Sequence, residues 1–232
     1  MLNSTITVKL KERLNKLDSQ DYDNILCWQI VEAFNKAQVE WSRRQLHGVN
    51  LMKEGDEQST RRKDDLQVLL VQMQPVLTEE GIFYSGGIPE NYLQWKRLDV
   101  FACKGECKNR RMTVYLAAEE NLNQLLRDKL KQPSFQWAET FATLTDDKFH
   151  VYTNEDFGIN EVSLTYYRQP RKIQIKDCSD PYTGDESTVD VLCEFKDDII
   201  ELIIDEAVSI LAGDIESGNQ YSRGQQEAER NN

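Results

Sequence analysis

The stretch "KRLDVFACKGECKNRRMTVYLA", residues 96–117, is where the chain changes texture. "KRLDVFAC" and "RRMTVYLA" are two runs of β-forming residues, and "KGECKN" between them carries the Gly and Asn of a turn. A strand–turn–strand unit follows. Arg110 and Arg111 fall at the mouth of this hairpin.

Downstream, "ETFATLT", "KFHVYT" and "EVSLTYYRQP" read as three more strands. Asp146-Asp147 suits a tight hairpin turn, and residues 154–158 a looser one. Pro170 closes the last strand. Between the two groups, "AEENLNQLLRDKL" (118–130) sets Leu122, Leu125, Leu126 and Leu130 along one helical face. Upstream, "LQVLLVQMQPV" is ambiguous between helix and strand until Pro75 stops it. "SGGIPENY" is a Gly-Gly turn followed by a proline, Pro89, in a helix-starting position. These readings add up to a small antiparallel sheet of about five strands.

Helical periodicity occupies both flanks. Residues 4–17 place Leu10, Leu14 and Leu17 on one stripe, and residues 21–47 place Tyr22, Leu26, Ile30, Ala33, Ala37 and Trp41 on another. Residues 196–216 are apolar through Ile199, Ile200, Ile203, Ile204, Ala207, Val208, Ile210 and Leu211. Asp197, Asp198, Glu201, Asp205 and Glu206 form the wet face of that helix, the first two favoured by the helix dipole. The expected fold is therefore α+β: N- and C-terminal helices in a bundle, with a small antiparallel β-domain inserted. Its parts are an N-terminal helical part (1–65), a β-rich insert (66–176), and an acidic loop, helix and tail (177–232).

Charge narrows the function. The net charge is −12, and residues 177–232 hold 15 acidic against 3 basic groups, which accounts for all of it. Such a surface argues against a nucleic-acid binder that grips phosphates. No apolar run reaches the length of a membrane span, and "MLNSTITVKLKERL" lacks the apolar core of a signal peptide, so a cytoplasmic product is expected. Five cysteines without a secretory signal predict reduced thiols. Cys103 and Cys107 read as thiols flanking a turn rather than half of a zinc site, since no second pair stands at finger-like spacing. His47 and His150, the only histidines, lie in no catalytic motif, and no phosphate-binding glycine loop occurs. The four tryptophans, Trp28, Trp41, Trp95 and Trp137, read as core. No catalytic residue, metal ligand or cofactor is expected. Arg61, Arg62 and Lys63 form a local basic cluster beside Asp64 and Asp65. That cluster and the Arg110–Arg111 pair are candidates for partner or phosphate contacts.

Four segments, "NKAQVEWSRRQLHGVN", "IPENYLQWKRLDVFA", "EVSLTYYRQPRKIQI" and "EFKDDIIELIIDEAVSILAGDIESGNQYSRGQQEAERNN", occur in this order. With the strand end Tyr166–Pro170 and the Gln- and Asn-rich C-terminus, they resemble the head–tail connector, or ring, proteins of crAss-like tailed phages infecting gut Bacteroidales. The resemblance spans nearly the whole chain. It implies a non-enzymatic virion protein, made in the host cytoplasm and placed in the neck at the portal vertex. There it would form a ring, usually dodecameric, that joins portal to tail and extends the DNA channel. The implied partners are other copies of itself, the portal protein, further neck or tail rings, and passing double-stranded DNA without sequence-specific binding. No membrane is involved. The tail, with Ser217, Gln220, Tyr221, Arg223 and Gln226, would become ordered on the portal or a neighbouring subunit. Asp197, Asp198, Glu201 and Asp205 would line the channel or face a partner, presenting carboxylates that DNA does not adhere to. The competing readings are a small phage-encoded enzyme or regulator, and another neck or tail subunit.

Overall fold

The computed structural model describes residues 1–15, 25–47, 64–179, 184 and 186–214. The chain divides into two compact units. One combines residues 1–68 with 170–232, and the other is Leu69–Gln169.

The second unit is built on one mixed sheet. Its strands are β1 (Leu70–Met73), β2 (Leu77–Glu80), β3 (Phe83–Gly87), β4 (Tyr92–Lys104), β5 (Cys107–Leu116), β6 (Glu139–Thr145), β7 (Lys148–Tyr152) and β8 (Gly158–Arg168). Their order in the sheet is β1-β8-β4-β5-β6-β7-β3-β2. All pairs are antiparallel except β5 with β6. Strand β5 changes partner along its length: Cys107–Met112 pair with β4, and Thr113–Leu116 pair with β6.

The strands β1 and β2 lie at opposite edges of this eight-stranded sheet, yet only Gln74, Pro75 and Val76 separate them in sequence. Four Cα steps reach about 15 Å at most. Eight flat strands would put their edges roughly 34 Å apart. The sheet must therefore curl until its edges approach, and the residues on its concave side close into one core. Alternate positions supply that core: Leu98, Val100 and Ala102 of β4, Met112 of β5, Ala142 of β6, Phe149 and Val151 of β7, and Val162, Leu164 and Tyr166 of β8. Gly86 belongs to the same packing, because a Cβ there would stand 2.3 Å from the Phe149 ring. Asp146 and Asp147, at φ 51° and 56°, make the tight turn between β6 and β7. On the opposite face, Phe141 stacks on Tyr152 at 5.0 Å and Phe83 lies 4.7 Å from the His150 ring, so His150 takes part in an aromatic cluster.

The first unit holds α1 (Asn3–Asn15), α2 (Cys27–His47) and the last helix, here α4 (Asp197–Asp214); a short α3 (Leu122–Arg127) lies in the β5–β6 crossover of the other unit. Helix α4 is apolar around much of its circumference: Ile199, Ile200, Ile203, Ile204, Ala207, Val208, Leu211 and Ala212 are all buried. It packs against both α1 and α2. Ile6, Leu10 and Leu14 are buried apolar residues of α1, and Ile30, Ala33, Phe34, Ala37 and Trp41 of α2. Polar side chains pin the segment between residues 170 and 193 to these helices. Asn35 exchanges two hydrogen bonds with the Ile173 backbone, Asn3 donates to the carbonyls of Gln174 and Val191, and the Cys193 thiol meets Gln38 Oε1 at 3.3 Å.

The expected fold is corrected in its main point. The architecture is dominated by a curled, eight-stranded mixed sheet accompanied by short helices, not by a helical bundle carrying a small antiparallel insert. The parallel β5–β6 pair needs a long crossover, which local hairpin reasoning excludes. For Leu26 and Leu130 the correction is the loss of a helical turn that periodicity suggested. Leu26 precedes α2 and is 56% exposed, and Leu130 lies beyond α3 and is 91% exposed. Pro89 starts a turn, closed by Tyr92 N–H to the Pro89 carbonyl, and no helix. Trp137, expected in the core, is 76% exposed. Leu17 and Tyr22 lie outside the described residues.

The expectation of reduced thiols is also corrected. Cys27 and Cys178 are disulfide-bonded across 151 residues of sequence, while Cys103, Cys107 and Cys193 are free. Sequence spacing carries no signal for this pair, because the fold of the first unit brings the start of α2 to the turn before residue 179. Burial pushes the Cys193 thiol up to about 11. Thiol titration of oxidised, denatured protein is expected to find three reactive groups, and five would refute the bond. Reduction is expected to cost the helical unit about 3 kcal/mol of stability, read as a lower urea midpoint.

Candidate functional site

The acidic face of α4 is the first candidate, and it is largely consumed inside its own unit. Lys9 and Arg13 lie one helical turn apart on α1, as Glu201 and Asp205 do on α4, so two facing turns match in charge. Lys9 pairs with Glu201, and Arg13 bridges Glu201 and Asp205 while donating to the Glu201 carbonyl at 3.1 Å. On another side of α4, Glu206 is 7% exposed and pairs with Arg44 of α2. Glu206, expected on the wet face, is therefore a buried ion-pair partner. Asp197 takes the amino group of Met1 at 2.7 Å while its side chain stays 73% exposed, and Asp198 is exposed. Of the four acids proposed for a channel or partner surface, Glu201 and Asp205 thus clamp α4 to α1, and Asp197 and Asp198 point outward at the N-terminus of α4.

Burial pushes the Glu201 carboxyl up, but Lys9 and Arg13 outweigh that effect and hold it below the usual carboxylate value. Its contribution to stability is present above the unfolded-state carboxyl pKa and fades as pH falls through the lowered folded value.

The hairpin arginines are likewise engaged locally. Arg111 pairs with Asp99 at 2.6 Å, and the same carboxylate takes Arg97 Nε at 2.9 Å. Arg110 lies over the Phe135 ring at 5.1 Å and donates to the Gln136 carbonyl. The two arginines brace β4 against β5 and the approach to β6. Cys103 and Cys107 flank the β4–β5 turn, with Gly105 at φ +58° inside it. Arg61, Arg62 and Lys63 and the tail residues Ser217, Gln220, Tyr221, Arg223 and Gln226 lie outside the described residues. No group of His, Cys, Asp and Glu among the described residues is placed to hold a metal ion, and none of their helices is long and apolar enough to cross a membrane.

A site that sequence reading missed lies where the curled sheet nearly closes. Strand β1 pairs with β8 only over Leu164–Tyr167, and Pro75, which has no N–H, follows shortly after β1 ends. Beyond it β2 runs with β3, and a cavity of 390 Å³ opens between β2 and β3 on one side and residues 159–162 of β8 on the other. The Tyr84 side chain reaches across this seam to Gly158, where a Cβ would stand 3.6 Å from its hydroxyl. Burial raises the Tyr84 phenol, and the Glu79 carboxylate raises it further. Gln74 donates to Glu161 on the far wall. Nothing in the local pattern of "LTEE" or "GINEV" marks these residues, because the seam exists only once the edges meet.

Replacing Arg13 by Ala is expected to lower stability by about 1 kcal/mol near neutral pH, a partly exposed cluster being worth no more. The variant should also lose less stability than the parent below pH ~4.5, where carboxylates begin to protonate. Urea midpoints followed by the helical circular-dichroism signal at neutral and acidic pH check both; an unchanged acid sensitivity would refute the assignment. Compared with known proteins, the sequence matches no family and no curated protein is significantly similar to it.

Proposed function

We propose that this chain is a structural subunit of the portal vertex of a tailed phage. In this reading it associates with copies of itself into a ring that joins the portal to the tail and extends the DNA channel. The observation that carries the reading is the C-terminal segment. Helix α4 is clamped to α1 through Glu201 and Asp205 and to α2 through Glu206, which makes it a rigid mount. The Gln- and Asn-rich residues 215–232 continue from that mount, and the resemblance to connector proteins assigns docking to this stretch. A polar segment that orders on contact binds weakly by itself and strongly when repeated around a ring.

The distribution of charge supports the same reading. The bases of α1 and α2 offset Glu201, Asp205 and Glu206, while Asp177, Glu186, Asp190, Asp197 and Asp198 are exposed. Repeated around a ring, such groups repel phosphates and leave DNA free to pass.

Mass spectrometry of purified particles tests the proposal. The chain is expected in fixed stoichiometry with the portal protein, and a variant lacking residues 217–232 is expected to fold normally but to be missing from particles. Absence of the full-length chain from particles would refute the structural role and favour an enzyme or regulator. Normal incorporation of the truncated chain would refute docking by the tail alone.

A further inference from the structure

We propose that the seam of the curled sheet is a docking site for an extended peptide strand that carries a basic side chain. The inference is independent of the portal-vertex reading. Strand β2 is paired on one side only, with β3, and residues 158–163 of β8 are paired only with β4. Two incompletely paired strand edges therefore face each other across one cavity. Unpaired main-chain donors and acceptors are the recognition element for an added strand, which would complete the ladder that Pro75 interrupts.

The side-chain chemistry of the walls selects the occupant. Glu79 stands on one wall and Glu161 on the other, both exposed. Among the described residues neither is ion-paired; Glu79 stands opposite Tyr84 across the β2–β3 ladder, and Glu161 accepts from the Gln74 amide. A guanidinium or ammonium reaching between them would give both carboxylates a cationic partner. An acidic peptide meets repulsion from both walls. Next to the cavity wall, Gly158 lets Cys103 and Tyr84 approach closely, since a Cβ there would stand 3.2 Å from Cys103 Sγ and 3.6 Å from Tyr84 Oη.

The test uses the full chain and three fluorescein-labelled heptapeptides of alternating Thr and Val. One has a central Arg, one a central Glu, and one a central Arg with alternate backbone nitrogens methylated. Fluorescence anisotropy is expected to show saturable binding of the first peptide only. The double variant Glu79→Gln/Glu161→Gln, exposed and isosteric and checked by circular dichroism, is expected to weaken it at least tenfold. Failure of the Arg peptide to saturate at millimolar protein would overturn the proposal. So would equal binding of the Glu peptide. Equal binding of the methylated peptide would reduce the seam to a cation site and overturn strand addition. Self-association that the double variant abolishes, without peptide binding, would assign the seam to a second copy instead.

Discussion

The link of three residues between β1 and β2 constrains the β-rich unit more than any single contact. A chain that leaves one edge of an eight-stranded sheet and reaches the other in about 15 Å permits only a strongly curled sheet. Curling turns one face into a closed interior, and the alternating residues of β4, β7 and β8 then meet as a single core. It also explains Gly86, where the Phe149 ring occupies the space of a side chain. The seam is the remainder of the same constraint. Pro75 ends the β1 ladder before β2 reaches β8, and the curl stops one ladder short of closure. The Tyr84 side chain reaches across the gap to Gly158, where backbone hydrogen bonds would otherwise run.

In the helical unit the corresponding problem is how to seat an apolar, acidic helix between two others. Helix α4 buries eight apolar residues, so little of its surface is left for solvent. Its acids must lie at the margins of two interfaces, and there they meet Lys9, Arg13 and Arg44. The same carboxylates that make the C-terminal third acidic thus position the helix. Ion pairs of this kind add little net energy, but they fix which turn faces which. Asn3 and Asn35 do comparable work for the segment after Pro170, by satisfying backbone groups that would otherwise be buried without partners, and Gln38 accepts from the Cys193 thiol. The disulfide ties the same segment to the start of α2.

Local pattern alone determined a good deal of this protein. The helices at both flanks, the β4–β5 hairpin, the Asp146-Asp147 turn and the strands β6 to β8 all follow from period, turn chemistry and proline, which act within about ten residues. Only the tertiary structure decided the rest. Short strands such as "LTEE" and "FYSGG" have too few alternating residues to declare themselves, and they become strands because β7 and a curled neighbour pair with them. The parallel pairing of β5 with β6, the partners of Arg110, Arg111, Glu201 and Asp205, the bond between Cys27 and Cys178, and the seam with Glu79 and Glu161 all join residues far apart in sequence. Periodicity reports which face of an element is apolar, but it holds no information about which distant face will cover it. That choice is made by chain length between elements and by the shapes that can close around a common core.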